Sequence, residues 1–332
     1  MQADLAGVVR NARALHVRAF SLRYVHSAGP VAVDGSWSAD VVTAWRFGGF
    51  DHGLEHREAR VRFSASPTGL RIAGMDAGVR RSPLWLSGPL QVRRDARTLV
   101  LVDGTAAQAD AMAAAAGRAV VQVRRLLPSW PGGLVVEMPA SQSGLRAALD
   151  ARRGQYQGIA AVTTNVDGSR SRGSASHVYV NPRVFLPLEP RSAQVVITHE
   201  ATHVATNAAT TAAPIWLVEG FADFVALRAQ RLPVSATAAS IIALVRRQGA
   251  PRHLPGAAEL AAGARTLEAR YESAWLACRL IARTTGVDAL VGLYRALDAG
   301  RPLGQELRRR LGMAPSAFLR QWRSALSHLP RE

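Results

Sequence analysis

The sequence contains no lysine, one cysteine and no long uninterrupted apolar run. Cys278 alone excludes an intramolecular disulfide framework and a thiolate-rich metal site. Without a run of about 18 apolar residues, no segment is expected to span a membrane. The 332 residues are 48% hydrophobic and 20% charged, which allows two domains with buried cores and excludes wholesale disorder, collagen and coiled coil.

Arginine supplies all 41 basic side chains, against 24 acidic ones, for a net charge of +17. The arginines occur as scattered pairs and one triplet, Arg308–Arg310, without the interleaved aromatic residues that stack on bases. Nucleic-acid binding is therefore an unfavoured alternative, while attraction to acidic surfaces or substrates stays open. The chain shows no export signal and is expected to be soluble as given; export or membrane tethering stays open if the N-terminus is truncated.

Alternating apolar and polar residues predict strands between residues 14 and 102, separated by Gly, Pro and Asp. These strands predict an antiparallel sheet curved around a short helix, which loosely resembles the cone-shaped fold of the nuclear-transport-factor-2 type. After residue 104, long Ala-rich segments predict a small sheet followed by a helical bundle. The expected fold class is α+β, with a β-rich N-terminal domain at 1–104 and a second domain at 105–332.

The most informative segment is His199-Glu200-Ala201-Thr202-His203 in a predicted helix. Residues four apart lie on one helix face, so both imidazoles can bind one ion, and Glu200 borders the same opening. A catalytic zinc ion needs a third protein ligand and an open position for water.

A second predicted helix, beginning near Pro214, carries Glu219 and, one turn later, Asp223. Packed antiparallel to the first helix, it would place Glu219 beside the two imidazoles. Asp223 would accept a hydrogen bond from the second ring nitrogen of a bound histidine, which fixes the tautomer. The alternative interpretation is that the two histidines are surface or core residues of an amphipathic helix and bind no metal.

These motifs, with Trp216-Leu217-Val218-Glu219-Gly220-Phe221-Ala222, resemble the gluzincin metallopeptidases, which include thermolysin. The resemblance implies a thermolysin-like metallopeptidase domain with Zn²⁺ bound by His199, His203 and Glu219. It implies that Glu200 is the general base and Asp223 the carboxylate that orients a ligand. The implied activity is hydrolysis of a peptide or protein substrate; a catalytically silent, peptidase-like binding scaffold is the alternative.

Tyr271 lies in Arg270-Tyr271-Glu272-Ser273-Ala274, which resembles the Pro-Tyr-Glu-Lys-Gly segment of the aminopeptidase branch. The resemblance implies that Tyr271 stabilises the oxyanion; a half-buried helix position is the competing interpretation. The Gly-x-Met-Glu-Asn strand of that branch has no counterpart upstream of His199. An endopeptidase, or an enzyme with a narrow protein substrate, is therefore the expected activity.

Three further features have structural interpretations. The strand 177–181 is expected at a sheet edge where an extended substrate could pair, with His177 as a strand-end surface residue. The cluster Asp51-His52 with Glu55-His56 is interpreted as a solvated, turn-rich charge cluster rather than a metal site. Apolar residues at helical spacing, with Cys278 as an inert thiol, are expected to form the core of the bundle: Trp275, Leu276, Leu280, Leu290, Leu293, Tyr294, Leu297, Phe318, Leu319 and Trp322.

Overall fold

A computed structural model describes residues 5–76, 82–230 and 232–329. The chain divides into two compact units, here called the first unit, Met1–Val120 with Pro131–Glu189, and the second unit, Val121–Trp130 with Pro190–Glu332. The predicted boundary between residues 104 and 105 falls inside the first unit. None of the helices in the described residues is long and apolar enough to cross a membrane.

The first unit begins with one helix and an antiparallel sheet of four strands in sequential order. Its elements are α1 (Leu5–Ala14), β1 (Val17–Ser27), β2 (Trp37–Phe47), β3 (Glu55–Ser66) and β4 (Gly69–Asp76). The burial of β3 alternates over its first seven residues, as expected where one sheet face covers a core. The predicted N-terminal antiparallel sheet is confirmed for these strands.

A second, mixed sheet follows a short 3-10 helix, Leu84–Leu86. Its strands, in the spatial order β5-β6-β7-β9-β8, are β5 (Gln91–Arg94), β6 (Thr98–Val102), β7 (Leu134–Met138), β8 (Ala161–Asn165) and β9 (Ser176–Val180). The prediction that the strands between 90 and 102 join the N-terminal sheet is wrong. All five residues of β6 are buried, as a strand covered on both faces requires, and β6 pairs in parallel with β7.

The prediction that strand 177–181 forms a sheet edge is also wrong. Strand β9 pairs in parallel with β7 on one side and antiparallel with β8 on the other. Its backbone groups therefore pair within the sheet rather than with an extended substrate, and the edge strands are β5 and β8.

The helices between and after these strands agree with the sequence prediction. They are α2 (Ala106–Arg124), α3 (Gln142–Leu149), α4 (Pro182–Phe185), α5 (Pro190–Ala205), α6 (Ile215–Arg228), α7 (Val234–Thr237), α8 (Ala239–Gln248), α9 (Leu267–Thr285), α10 (Val287–Asp298), α11 (Leu303–Leu311) and α12 (Pro315–His328). Of the predicted bundle core, only Leu280 and Leu319 are half-buried rather than buried, and Cys278 is fully buried. The whole is an α+β protein, as predicted.

Candidate metal centre

Helix α5 presents the two histidines of the His-Glu-x-x-His segment on one face. Their ring centroids lie 4.5 Å apart with an interplanar angle of 85°. Because His199 and His203 are separated by one helical turn, the rings converge while their Nε2 atoms stay available to a third group. Glu200, between them in sequence, is buried at 7% exposure.

Helix α6 brings a carboxylate to both imidazoles. The helix begins at Ile215 directly after Pro214, whose fixed φ suits the start of a helix. Oε2 of Glu219 lies 3.3 Å from Nε2 of His199 and 3.3 Å from Nε2 of His203. Among the described residues these three form the one group whose donor atoms could hold a metal ion, all within 4.8 Å of one another.

The donor set and its spacing fit zinc. Two ligand atoms at about 2.1 Å from a tetrahedral zinc ion lie about 3.4 Å apart, close to the separation of Glu219 Oε2 from each imidazole nitrogen. Two imidazoles and one carboxylate are donors that zinc accepts. The side chains of His199, His203 and Glu219 are largely buried, with 14%, 9% and 13% exposure.

Asp223 contacts the other nitrogen of the first histidine. Its Oδ1 lies 2.7 Å from Nδ1 of His199, a hydrogen bond that holds Nε2 toward Glu219. Nδ1 of His203 is buried and has no hydrogen-bond partner in the described residues. Among the described residues, a carboxylate therefore contacts the second ring nitrogen of His199 but not that of His203.

At this site, burial and neighbouring charges act in opposite directions on the pKa values of His199 and Glu219. Burial would lower the pKa of His199, but the charge and hydrogen bond of Asp223, with Glu219 and Glu200, raise that pKa well above its ordinary value. Burial would raise the pKa of Glu219, but His203 and His199 hold it well below the usual range. Three carboxylates thus surround the two imidazoles, an arrangement that favours positive charge at this position.

Tyr271 of α9 lies beside the same group. Its ring centroid is 6.3 Å from that of His199. Burial raises the pKa of the Tyr271 phenol, and the negative charges of Glu219, Asp223 and Glu200 raise it further. The phenol therefore keeps its proton and acts as a hydrogen-bond donor at neutral pH.

Glycine at position 220 permits the close packing of α6 on α9, which sequence reasoning did not identify. A Cβ atom there would lie 2.3 Å from the carbonyl oxygen of Ala274 and 3.0 Å from Sγ of Cys278. Only glycine lets the helix carrying Glu219 approach the helix carrying Tyr271 this closely. A glycine inside an apolar helix was the available signal.

A buried polar contact fixes α5 from its other side. Oγ1 of Thr198 lies 2.9 Å from Oε1 of Gln122 on α2. Within α5, it lies 2.8 Å from the backbone carbonyl oxygen of Gln194 and 3.1 Å from the side-chain amide nitrogen of Gln194. Thr198 is completely buried, directly before His199. Because Gln122 is distant in sequence, no local pattern could have indicated this contact.

The expectation of a strand-end surface position for His177 is wrong. The residue is 1% exposed, with Nδ1 2.7 Å from Oε1 of Glu137 and Nε2 3.1 Å from Oδ1 of Asp51. Burial would lower the pKa of His177, but its hydrogen bonds to Asp51 and Glu137 raise that pKa to about 9. The ring is held as a cation between two carboxylates.

The predicted solvated cluster at residues 51–56 is only half correct. His52 and His56 are exposed, but Asp51 and Glu55 are buried at 6% and 0% exposure. Asp51 accepts from the Phe47 amide at 2.6 Å, and Glu55 accepts from the Ala175 amide at 2.8 Å and from the Ser174 hydroxyl at 2.7 Å. Both carboxylates form hydrogen bonds with residues distant in the chain, Asp51 with His177 and Glu55 with Ala175, which the sequence does not show.

One comparison with known proteins bears on the site. Residues 153–239 match the model of the BSP family, described as peptidase of plants and bacteria. The matched segment contains α5 and α6, with the two histidines, Glu200, Glu219 and Asp223. A search of curated proteins found no match. The family match supports a peptidase-related family and a function related to proteolysis.

Proposed function

We propose that this protein is a zinc-dependent peptidase of the gluzincin type. The observation that carries the proposal is the pair of 3.3 Å separations between one oxygen of Glu219 and the Nε2 atoms of His199 and His203. The spacing suits ligands of one tetrahedral ion and is longer than a good charge-assisted hydrogen bond.

His199, His203 and Glu219 would hold the ion, and Asp223 would keep His199 in the tautomer that offers Nε2. A bound zinc ion supplies Lewis-acid activation of water and of a peptide carbonyl. The protein contributes a fixed geometry, because the ligands lie on two helices rather than on loops.

Glu200 would act as the general base. It is nearly buried next to His199, and its charge influences the pKa values of both His199 and Tyr271. Its carboxylate would take the proton of the attacking water and transfer it to the leaving amine. Tyr271, whose phenol stays protonated, would donate a hydrogen bond to the oxygen that gains negative charge.

The proposed substrate is a peptide or protein cut at an internal bond or with narrow specificity. The absence of the Gly-x-Met-Glu-Asn segment removes the carboxylate that binds a free amino terminus in the aminopeptidase branch. Profiling a mixed library of peptides with free and with acetylated N-termini tests this point. Equal cleavage of both sets is expected; a requirement for the free amine contradicts it.

The direct test of the mechanism is Glu200→Gln. The variant should bind zinc like the wild type, measured by elemental analysis, and lose roughly 10²–10⁴-fold in peptide hydrolysis. Glu189→Gln is the matched control, because Glu189 is exposed and lies directly before the same helix. If the wild-type protein binds zinc but hydrolyses no peptide, the result would instead favour the catalytically silent, peptidase-like binding scaffold.

A further inference from the structure

A cavity of about 370 Å³ in the first unit is lined by basic side chains and by the turn after β2. The lining residues are His16, Arg18, Arg46, Gly48, Gly49 and Asp51. Nothing in the proposed peptidase chemistry uses them.

Two arginines face each other across the strands at this cavity. Arg18 of β1 and Arg46 of β2 are direct partners in the antiparallel register. Side chains of directly opposite residues project to the same face about 4.5–5.5 Å apart at Cβ, and like charges in such a pair are destabilising. Neither guanidinium forms an ion pair with any carboxylate of the described residues.

The carboxylate in the cavity wall does not neutralise the arginines. Asp51 is buried and accepts hydrogen bonds from the Phe47 amide at 2.6 Å and from His177 at 3.1 Å. His177 divides one positive charge between Asp51 and Glu137, so Asp51 keeps part of its negative charge, which is less than the two positive charges of Arg18 and Arg46. The two arginines therefore leave a local excess of positive charge.

The backbone around the cavity is shaped to admit guanidinium groups. A Cβ atom on Gly48 would lie 3.3 Å from Cγ of Arg18, and a Cβ atom on Gly49 would lie 3.2 Å from a guanidinium nitrogen of Arg94. Arg94 donates to the carbonyl oxygen of Gly48, adding a third guanidinium to the same turn. The Gly48-Gly49 pair thus lets arginine side chains lie against the turn.

The backbone at the start of β1, beside the cavity, has two positive φ angles. His16 and Ala19 have φ values of +51° and +53°, and the register between β1 and β2 shifts directly after Arg18. A bulge of this kind redirects a side chain, and positive φ in non-glycine residues persists where the surroundings enforce it. Arg18 and its neighbour Val17 lie between the two positive-φ residues.

We propose that this cavity binds a multiply charged oxyanion, a phosphate group in particular. The guanidinium groups of Arg18 and Arg46 both belong to the cavity lining and can supply several donors to the oxygens of phosphate, and His16 adds a further donor in the cavity wall. The bound anion would relieve the repulsion between Arg18 and Arg46. The cavity is larger than inorganic phosphate alone, so a phosphate ester also fits.

The test is calorimetric titration of the full-length protein with inorganic phosphate, phosphoserine and acetate at constant ionic strength. Saturable binding of phosphate, tighter than that of acetate, is expected. Binding of phosphoserine with similar affinity indicates a phosphorylated ligand, and its exclusion indicates free phosphate; either result supports the site. Absence of saturable phosphate binding overturns the proposal.

Two variants test whether phosphate binds in this cavity. Arg46→Gln should weaken phosphate binding by about tenfold or more. The control Arg23→Gln makes the same charge change at an exposed position of β1 outside the cavity and should bind like the wild type. Equal weakening in both variants would show non-specific attraction to a basic protein and would overturn the site.

A second measurement uses thermal stability in place of direct binding. In phosphate-free buffer, Arg46→Gln should melt at the same temperature as the wild type or higher, because one of two repelling charges is gone. Added phosphate should raise the melting temperature of the wild type more than that of the variant at the same phosphate concentration. A lower melting temperature of the variant without phosphate would mean that Arg46 stabilises the fold by itself, against the proposal.

Discussion

Oδ1 of Asp223 lies 2.7 Å from Nδ1 of His199, and Glu219, one turn earlier on the same helix, lies 3.3 Å from the other nitrogen of that ring. A single helix therefore holds both nitrogens of one imidazole. Rotation of this ring is coupled to the position of α6, so the site is organised by the packing of two helices.

Asp223→Asn is expected to weaken zinc affinity by about 10–100-fold, because an amide can present its NH₂ group to Nδ1 and no longer favours the required tautomer. Competition with a fluorescent chelator measures the affinity. Asp288→Asn, at an exposed position of α10, is the control. Unchanged affinity in Asp223→Asn would remove the orienting role.

Gly220→Ala is expected to lower the free energy of unfolding by about 1–3 kcal/mol, because the added methyl group overlaps the carbonyl oxygen of Ala274. Chemical denaturation measures the change. Gly117→Ala is the matched control: this helical glycine has open space where a Cβ would lie, and alanine there should stabilise by about 0.5–1 kcal/mol. A neutral Gly220→Ala would show that the helices do not need the close approach.

His177 is expected to make stability depend on alkaline pH. Its pKa of about 9 in the folded state exceeds the value of 6.5 for an unperturbed histidine, so the cation stabilises the fold fully below pH 6.5. This contribution, of order 3 kcal/mol, is lost as the pH rises through 9. Denaturant unfolding between pH 6 and pH 10 should show the loss in the wild type.

The matched variants are His177→Gln, which should lack this pH dependence, and His52→Gln, at an exposed histidine, which should retain it. The same alkaline loss of stability in His177→Gln would assign the effect to another group.

Glu272 is expected to stabilise α8 from a neighbouring helix. Its carboxylate accepts from the backbone amides of Ser240 and Ile241 at 3.3 and 2.6 Å, while the N-cap position of α8 holds Ala238, which has no acceptor. Glu272→Ala should cost about 1–2 kcal/mol of unfolding free energy. Glu268→Ala, which loses a single exposed hydroxyl contact, should cost much less, and equal losses would contradict the capping role.

Predictions from the sequence were most accurate where they rested on a repeating pattern. Most of the predicted bundle core, whose apolar residues recur at helical spacing, is buried. Periodicity reports which face of an element is apolar, and that information is local. It does not report which sheet a strand joins, so β5 and β6 were placed in the wrong sheet and β9 at an edge.

The burial of polar residues likewise cannot be predicted from local sequence. The exposed or solvated position expected for His177, Asp51 and Glu55 follows from average behaviour, since charged groups are seldom fully buried. Their burial here depends on mutual pairing and on backbone donors distant in the sequence, such as the Ala175 amide that faces Glu55. No single segment contains that information.

At the candidate site, the spacing of His199 and His203 and of Glu219 and Asp223 can be read from the sequence alone, because the helical repeat places residues four apart on one face. That the two helices meet with Glu219 between the imidazoles and Tyr271 alongside is visible only in the folded protein. Packing between helices depends on contacts such as Gly220 with Ala274 and Thr198 with Gln122. The partners in such contacts are far apart in the chain and become neighbours only when it folds.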